Sequence, residues 1–589
     1  MKSIHLGTDR ETGERIRIPM KSFETHWHLI GGTGKGKTTA LHTILQPLML
    51  DAFDDNCFFI VDRLGNFSHE LLLWMSSEFC TEQVRNRLVY IEPAREDVVL
   101  GFNPLLYDSD AHGYYKVSRA TEIILRAWES VNIEAMPRLA RWTFNAFWAA
   151  AQLKLTIADC VHFLMPGSPY HADLLQCLPE RLQYEWNELT TSRSSEVLRI
   201  LDSSRNRLKP YFESDILRRM FGSSQNRFDV LRFMREGKIV LVNLAPQNRL
   251  AEQLGNTIGS LLLNEILATA RSLPRGIHYP TYLVLDEFQN FVGPDMESAL
   301  PEVRQLGIKL LLSHQSFSQL IRGDYDLTSM IFQAQSRLLF GVQGEDAALL
   351  AHELASITYD PKRIKDEIYS RRQLVSGQRV VELSSWSQSE ADSRQWKKDY
   401  GENWSHGTGT ARRSNSFEWT LSEGQNVGRS ERTGEGGGQT TTRSHGTHQT
   451  LAPEYEQFLE LASRTYYTFE EQRNLWAQSV RNLSTGTALL RLVDDPTLRE
   501  VAIKRSAPGH LGWNIELMMQ ELPEVLDDLD RLVEENFRSD IFVSPAFIDQ
   551  ETKERLHRVL HPPIILQKDS PPADPDSTAD RLSERAPFC

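Results

Sequence analysis

The sequence predicts an α/β fold: a mostly parallel sheet covered by helices on both faces and interrupted by an all-helical insertion. Three observations predict it. Strand-like apolar runs recur at wide intervals, at 26–30, 57–61, 88–91, 238–242, 282–285, 309–312 and 338–342, and several lead from a polar or small residue into a helix-like pattern. From 105 to about 229 such runs give way to helical periodicity, as in 122–128, 140–151, 173–178 and 195–201. The first run also ends in a glycine-rich turn of a kind that joins a strand to a helix.

That turn is the most informative segment. Residues 28–39 read His-Leu-Ile-Gly-Gly-Thr-Gly-Lys-Gly-Lys-Thr-Thr, giving Gly31-x-x-x-x-Gly36-Lys37-Thr38. Glycines let successive backbone N–H groups turn inward around phosphate oxygens, and the helix N-terminus adds partial positive charge. Gly31, Gly32, Thr33, Gly34, Lys35, Gly36, Lys37, Thr38 and Thr39 are therefore the candidate cradle for ATP. Lys37 would reach the β- and γ-phosphates and Thr38 would ligate Mg²⁺. A merely flexible glycine loop is the competing reading.

The partner motif lies far along the chain. Tyr-Leu-Val-Leu at 282–285 runs into Asp286 and Glu287. Asp286 is the second candidate Mg²⁺ ligand, acting through water, and Glu287 the group that orients or deprotonates the attacking water. Downstream, a helix breaks at Gly307 and an apolar strand ends in His314–Gln315. Gln315 at that tip can touch the γ-phosphate, or it can serve only as a loop residue. Arg304, on the preceding helix end, can act as an arginine finger toward a neighbouring subunit or stand as an ordinary surface arginine.

Bulk properties narrow the classes. With 589 residues, 40% hydrophobic and 24% charged, the chain has the composition of a globular protein of about two to four domains. A net charge of -14 excludes a uniformly basic nucleic-acid coat but leaves room for a local basic pore. Cys57, Cys80, Cys160, Cys177 and Cys589 are scattered without metal spacing, which fits a reduced, cytoplasmic compartment. The N-terminal residues lack the apolar core of a signal peptide, and no apolar run approaches ~18 residues, so no direct membrane span is expected.

The sequence divides into 1–104 and 230–375 as two parts of the core, 105–229 as the helical insertion, 376–450 as a low-complexity insert, 451–506 as completion of the core, 507–568 as a helical segment, and 569–589 as a disordered tail. The Trp/Phe stripe of 140–151 reads as core rather than a base-stacking surface. Trp386, Trp396, Trp404 and Trp419 fall in the Ser/Gly/Thr-rich stretch, either to stack on bases or within an amphipathic hairpin or surface loop. After Pro453 the pattern predicts a helix over 455–479, a strand over 487–493, an acidic helix over 513–533 and a further helix over 552–560.

Taken together these blocks resemble the HerA/FtsK superfamily of ring-forming P-loop ATPases, and within it the soluble motor of TraG/TraD-type coupling proteins of conjugative type IV secretion. The likeness rests on 6–7 with 15–19, the P-loop preceded by His28, 101–105, 237–244, 255–264, 286–291, Arg304 with Gly307 and His314–Gln315, and 340–347, all in the family's order. It implies a RecA-like core interrupted by an all-α domain, a homo-hexamer, ATP and Mg²⁺ as cofactors, and DNA pumped through a pore that contacts phosphates. It also places Arg304 on the family's trans-acting arginine and Gln315 on its sensor. Two departures stand out. Where the family shows Asp-Pro-Lys-Gly-Asp, this chain has Asp62-Arg63-Leu64-Gly65-Asn66, and the usual membrane-anchoring helices are missing. A membrane or secretion-channel partner would then recruit the ATPase to the inner membrane, with a relaxosome as cargo source. The alternatives are a HerA-like subunit of a defence complex with a nuclease partner, a secretion ATPase acting on protein, or a nucleotide-switched adaptor.

Overall fold

The computed structural model describes residues 3–561 apart from 52–55, 108, 127–135, 192–194, 247–248, 275, 292–302, 323–324, 393–438, 507–519 and 522. The chain divides into two units: Thr358–Gln472, and everything else.

The larger unit is built on one eleven-stranded sheet. Its strands, in chain order, are β1 (Ser3–Asp9), β2 (Arg15–Pro19), β3 (Trp27–Ile30), β4 (Cys57–Asp62), β5 (Leu88–Ile91), β6 (Ile239–Asn243), β7 (Thr281–Asp286), β8 (Ile308–His314), β9 (Ser336–Leu339), β10 (Thr487–Leu492) and β11 (Asp495–Ile503). Across the sheet they run β2-β1-β11-β10-β9-β3-β8-β7-β4-β6-β5. From β9 to β5 every neighbouring pair is parallel. From β9 out to β2 every pair is antiparallel. The parallel strands β3, β4, β5 and β6 are buried at every position, which is why each reads as an unbroken apolar run. Edge strand β2 alternates instead, burying only Ile16 and Ile18.

Helices α1 (Lys37–Leu50) and α2 (Asn66–Ser76) follow β3 and β4 directly. The insertion contains α3 (Asp110–Arg126), α4 (Pro137–Gln152) and α5 (Ser195–Glu213), with shorter helices between. The α4 stripe is core: Phe147 and Ala146 are fully buried, and Trp142 meets the buried Trp186 edge-on with ring centroids 5.2 Å apart. The chain returns through α6 (Glu252–Ser272), and α7 (Gly344–Thr358) follows β9.

The C-terminal residues close the outer edge of the sheet. Asn536, near the end of α9 (Glu524–Phe537), accepts from Tyr90 N at 2.9 Å and donates to Tyr90 O at 2.8 Å, so edge strand β5 does not present those groups to solvent. Helix α10 (Pro545–Leu560) is tied to the insertion by a buried pair, Arg555 Nη2 to Asp159 Oδ2 at 2.9 Å. The acidic helix expected over 513–533 is seen over Glu524–Phe537, 513–519 and 522 lying outside the described residues, and the following one begins at Pro545 rather than 552.

The smaller unit is a long antiparallel ribbon of Ile364–Asp392 with Gln439–Tyr466. It departs from the sequence reading twice. Regular pairing continues well into the stretch read as low-complexity, up to Asp392 and again from Gln439, while 393–438, with Trp396, Trp404 and Trp419, lies outside the described residues. Residues 455–466 are strand, and the helix, α8, runs only over Phe469–Asn482. The spacing of Tyr455, Phe458 and Leu459 fits a helical face, but Leu451, Tyr455, Leu459 and Leu461 also share odd positions, the period of a strand. Pairing with a distant segment decides between the two, and a single-strand pattern does not contain that segment.

Candidate nucleotide site

The candidate site lies at the carboxyl ends of the parallel strands, where the crevice of such sheets opens. Strand β3 is flanked by β9 and β8, so the P-loop strand is separated from the Asp286–Glu287 strand by one strand, and Gln315 follows the strand between them. The register sets Ile30 opposite His314 and Asp286 opposite Ser313, which brings all three strand tips to one level.

The glycines of the P-loop are required by its backbone. Gly34 and Gly36 have φ of 72° and 112°, and a Cβ on Gly31 would stand 2.4 Å from Phe340 Cβ. The loop is braced from both sides: Gly32 N donates to Gly341 O at 3.0 Å, and Gly486 N donates to Lys35 O at 2.9 Å. Thus β9 and the turn before β10 hold the cradle, although neither carries a motif. Helix α1 begins at Lys37, with Thr38 and Thr39 in its first turn. Lys37 is buried, and its Nζ donates to Gly31 O at 2.6 Å. Burial lowers its pKa, against the attraction of Glu287 and Asp286.

Glu287 is 4% exposed and sits in the left-handed region at φ 53°, ψ 48°. For a glutamate this costs roughly 1–3 kcal/mol and persists only where the surroundings impose it. Two glutamines impose it. Gln315 Nε2 donates to Glu287 Oε1 at 2.7 Å, and Gln289 Nε2 donates to Oε2 at 2.8 Å. Thr33 Oγ1 in turn donates to Gln315 Oε1 at 2.9 Å. A continuous line of hydrogen bonds therefore joins the P-loop, through the β8 tip, to the carboxylate after β7. Gln319 extends it, accepting from Gln289 Nε2 at 3.2 Å and from Ser316 N at 3.3 Å. Gln289 and Gln319 were not singled out by sequence. Gln289 lies inside the 286–291 block, but nothing in a linear pattern shows that its side chain turns back onto Glu287.

Beneath the loop lies a buried imidazole pair. His28 Nε2 and His314 Nε2 are 2.8 Å apart, and His314 Nδ1 is 3.0 Å from Ser316 O. A carbonyl only accepts, so His314 Nδ1 carries hydrogen and its Nε2 accepts from His28 Nε2–H. Burial pushes His314 down to about 4 and His28 well below its ordinary value, so the pair is neutral.

The residues fit a divalent cation. Burial first, then the charges of Asp62 and Glu287, push the Asp286 carboxyl up to about 6. An acid crowded in this way beside a phosphate-binding loop gains most from a cation, and Thr38 supplies the hydroxyl from the first turn of α1. Asp62, at the tip of β4, is occupied otherwise. Its Oδ2 accepts from Ser68 N at 2.7 Å and its Oδ1 from Leu64 N at 3.0 Å, so it caps α2. Arg63 pairs with Glu252. Arg304 is exposed on the helical turn before β8 and is not brought to the site of its own chain.

Strand order and site together define a P-loop nucleoside triphosphatase fold of the RecA-like class. Residues 280–355, from β7 to α7, match the family model described as the TraM recognition site of TraD and TraG. Among curated proteins no sequence matches significantly. Similar solved structures include the bacterial conjugative coupling protein TrwBdeltaN70 in an unbound form, 13% identical over 86% of this chain and 94% of that one, with TM-score 0.49. The plasmid coupling protein TrwB with ADP and Mg²⁺ gives 13%, 86%, 94% and 0.47. VirB4 of Thermoanaerobacter pseudethanolicus is 14% identical over 59% of this chain and 87% of that one, with TM-score 0.37. No helix among the described residues is long and apolar enough to cross a membrane.

Proposed function

We propose that the chain is an ATP-hydrolysing DNA translocase, acting as a homohexameric ring and serving as the coupling ATPase of a conjugative or type IV secretion-like DNA transfer system. The observation that carries this reading is the line Thr33–Gln315–Glu287. It ties the loop that would hold the triphosphate to the carboxylate that would activate water, through a residue placed to sense the γ-phosphate. An adaptor that only held nucleotide would have no use for a strained, doubly hydrogen-bonded glutamate at that point.

In this reading Gly31–Thr39 bind the triphosphate, with Lys37 leaving its Gly31 carbonyl to meet the β- and γ-phosphates. Thr38 and Asp286 hold Mg²⁺, which supplies neutralisation of charge on the phosphates. Glu287 takes the proton of the attacking water, and Gln315 lets go of Glu287 or Thr33 as the γ-phosphate arrives or leaves. Arg304 completes the site of the next copy, consistent with its exposure and its separation from its own. DNA is held by backbone contacts in the ring pore. The TraG/TraD match over 280–355 supports a relaxosome protein as partner, and the setting is the cytoplasmic side of a membrane channel.

DNA-stimulated hydrolysis tests the reading. Glu287→Gln is expected to lower phosphate release by at least ~10³-fold while nucleotide still binds. Arg304→Ala subunits should regain hydrolysis when mixed with Glu287→Gln subunits, because each supplies what the other lacks. Hydrolysis indifferent to DNA, or no recovery at any mixing ratio, would count against the motor and the trans arginine respectively.

A further inference from the structure

The ribbon of Ile364–Asp392 and Gln439–Tyr466 has no part in the nucleotide chemistry. Its two faces differ. Opposed residues of an antiparallel pair share a face, so the register sorts them. On one face Tyr369 stands opposite Leu461, Val375 opposite Tyr455, and Val380 opposite Leu451. These are three apolar rungs, and Leu459 adds a fourth apolar position. Between Tyr369 and Leu451 this face carries one charge, Arg371. The other face carries Arg372, Arg379, Glu454, Glu456 and Glu460 beside the exposed Leu374 and Phe458, and Arg372 pairs with Glu460 at 2.7 Å.

The apolar face is bare. Its seven apolar side chains are 40–66% exposed, Leu459 the most. An isolated two-stranded ribbon is marginal in water, and a contiguous apolar face on it marks a contact. We propose that this face packs against the same face of a second copy of the chain.

Three observations favour a second copy over other occupants. The pattern is self-complementary at its ends. Counting Tyr369/Leu461 as the first rung and Val380/Leu451 as the sixth, a twofold axis between Gln373/Gln457 and Val375/Tyr455 lays apolar ends on apolar ends, while the two glutamines meet Val375 and Tyr455 across the axis. The same axis sets Arg371 opposite Gln378 and Pro453, so its charge meets a polar neighbour and not a second arginine. The area is also adequate: the seven side chains offer on the order of 700 Å² per copy, beside ~800 Å² a side in a standard interface. Finally, a face with a single positive charge offers little to a polyanion, which argues against DNA as its occupant.

Cross-linking in the full chain tests this. In a background of Cys177→Ser and Cys589→Ser, Gln457→Cys, beside the proposed axis, is expected to form covalent dimers rapidly with a short bis-maleimide. Ser370→Cys, on the opposite face, should do so at least tenfold more slowly. Adding Val380→Asp should abolish the Gln457→Cys product, whereas Arg372→Ser should leave it. Nucleotide binding serves as the check that each variant is folded, and a Gln457→Cys protein that binds nucleotide yet gives no dimer overturns the proposal. So do equal rates from the two faces, or flotation with phosphatidylcholine vesicles that Val380→Asp abolishes, which would assign the face to lipid. These readouts do not depend on hydrolysis, so the self-contact and the motor reading can fail separately.

Discussion

Asp62 and Asp286 stand at the carboxyl ends of neighbouring strands β4 and β7, one at the tip of Cys-Phe-Phe-Ile-Val-Asp and the other at the tip of Thr-Tyr-Leu-Val-Leu-Asp. Burial raises both above the ordinary carboxylate range. There the likeness ends. The charge of Asp62 is met by the backbone N–H groups of Ser68, Gly65 and Leu64, so its first need is satisfied within its own loop. Asp286 faces Lys37 but is crowded by Asp62 and Glu287, and it is followed by a glutamate in a strained backbone conformation. One carboxylate finishes a turn, and the other is left wanting a cation. The lesson is that a strand ending in an acid does not make a catalytic site; the competition for that acid decides.

The sharpest way to break the comparison is to neutralise each acid. Asp286→Asn is expected to lower Mg²⁺-dependent hydrolysis by ~10³-fold or more, because it removes the charge that would hold the metal through water. Asp62→Asn keeps an acceptor for Leu64 N or Ser68 N and should change turnover by less than about threefold, with loss of ~1 kcal/mol of stability as the cap weakens. Initial rates and thermal melts on both proteins check this. Equal losses of turnover would show that Asp62 belongs to the site.

The same comparison shifts with pH. In the folded chain Asp286 titrates at about 6 against an ordinary value of 3.8. The folded protein therefore holds a proton that the unfolded chain releases: this stabilising contribution is full below 3.8 and is lost as pH rises through about 6. Metal binding has the opposite sense, since it needs the carboxylate. Mg²⁺ affinity is expected to fall as pH drops below about 6, and Asp62→Asn should move that acid limb downward by removing a like charge. Calorimetric Mg²⁺ titrations in the presence of a non-hydrolysable nucleotide, from pH 5 to 8, read both effects. An unmoved limb in the variant would mean the two acids do not interact.

How much of this was legible in the sequence follows the same division. Gly31–Thr39 and Asp286–Glu287 are legible as candidates because phosphate and metal chemistry demands particular residues at short spacing. The parallel strands were found because burial on both faces leaves unbroken apolar runs. Gln289 and Gln319 were not, since the meeting of Gln289 with Glu287 and of Gln319 with Gln289 depends on a 3₁₀ turn over Phe288–Asn290 and on another over Phe317–Leu320. Nor was the pairing across the ribbon, where Ser, Gly and Thr obscure the alternation and the partner lies far along the chain. Gln289 offers a smaller test of this hidden layer. It holds Glu287 from the side away from Gln315, so Gln289→Ala should cost about tenfold in turnover, while Gln315→Ala, which also breaks the tie to Thr33, should cost ~10²-fold. Equal effects would remove the distinction between a sensing and a supporting glutamine.

The smallest effect expected concerns the buried imidazoles, which touch neither acid yet set the strand tip from which Gln315 projects. His314 donates to Ser316 O and accepts from His28, and the second role does not survive an added proton: protonated Nε2 would point a hydrogen at His28 Nε2. Its folded value near 4 lies below the ordinary 6.5, so between these values the unfolded chain binds the proton and the folded chain does not. The stability this represents is present above 6.5 and is lost as pH falls toward 4. The His314 contribution alone should accordingly lower the melting temperature by roughly 1–2 °C between pH 7 and pH 5. Asp286 tends to raise it over the same range, so His314→Gln, which cannot charge, should flatten or reverse the slope while Asp286→Asn steepens it. A wild-type slope that neither variant alters would mean that acid sensitivity resides elsewhere in the fold, and that the pair beneath the P-loop is packing alone.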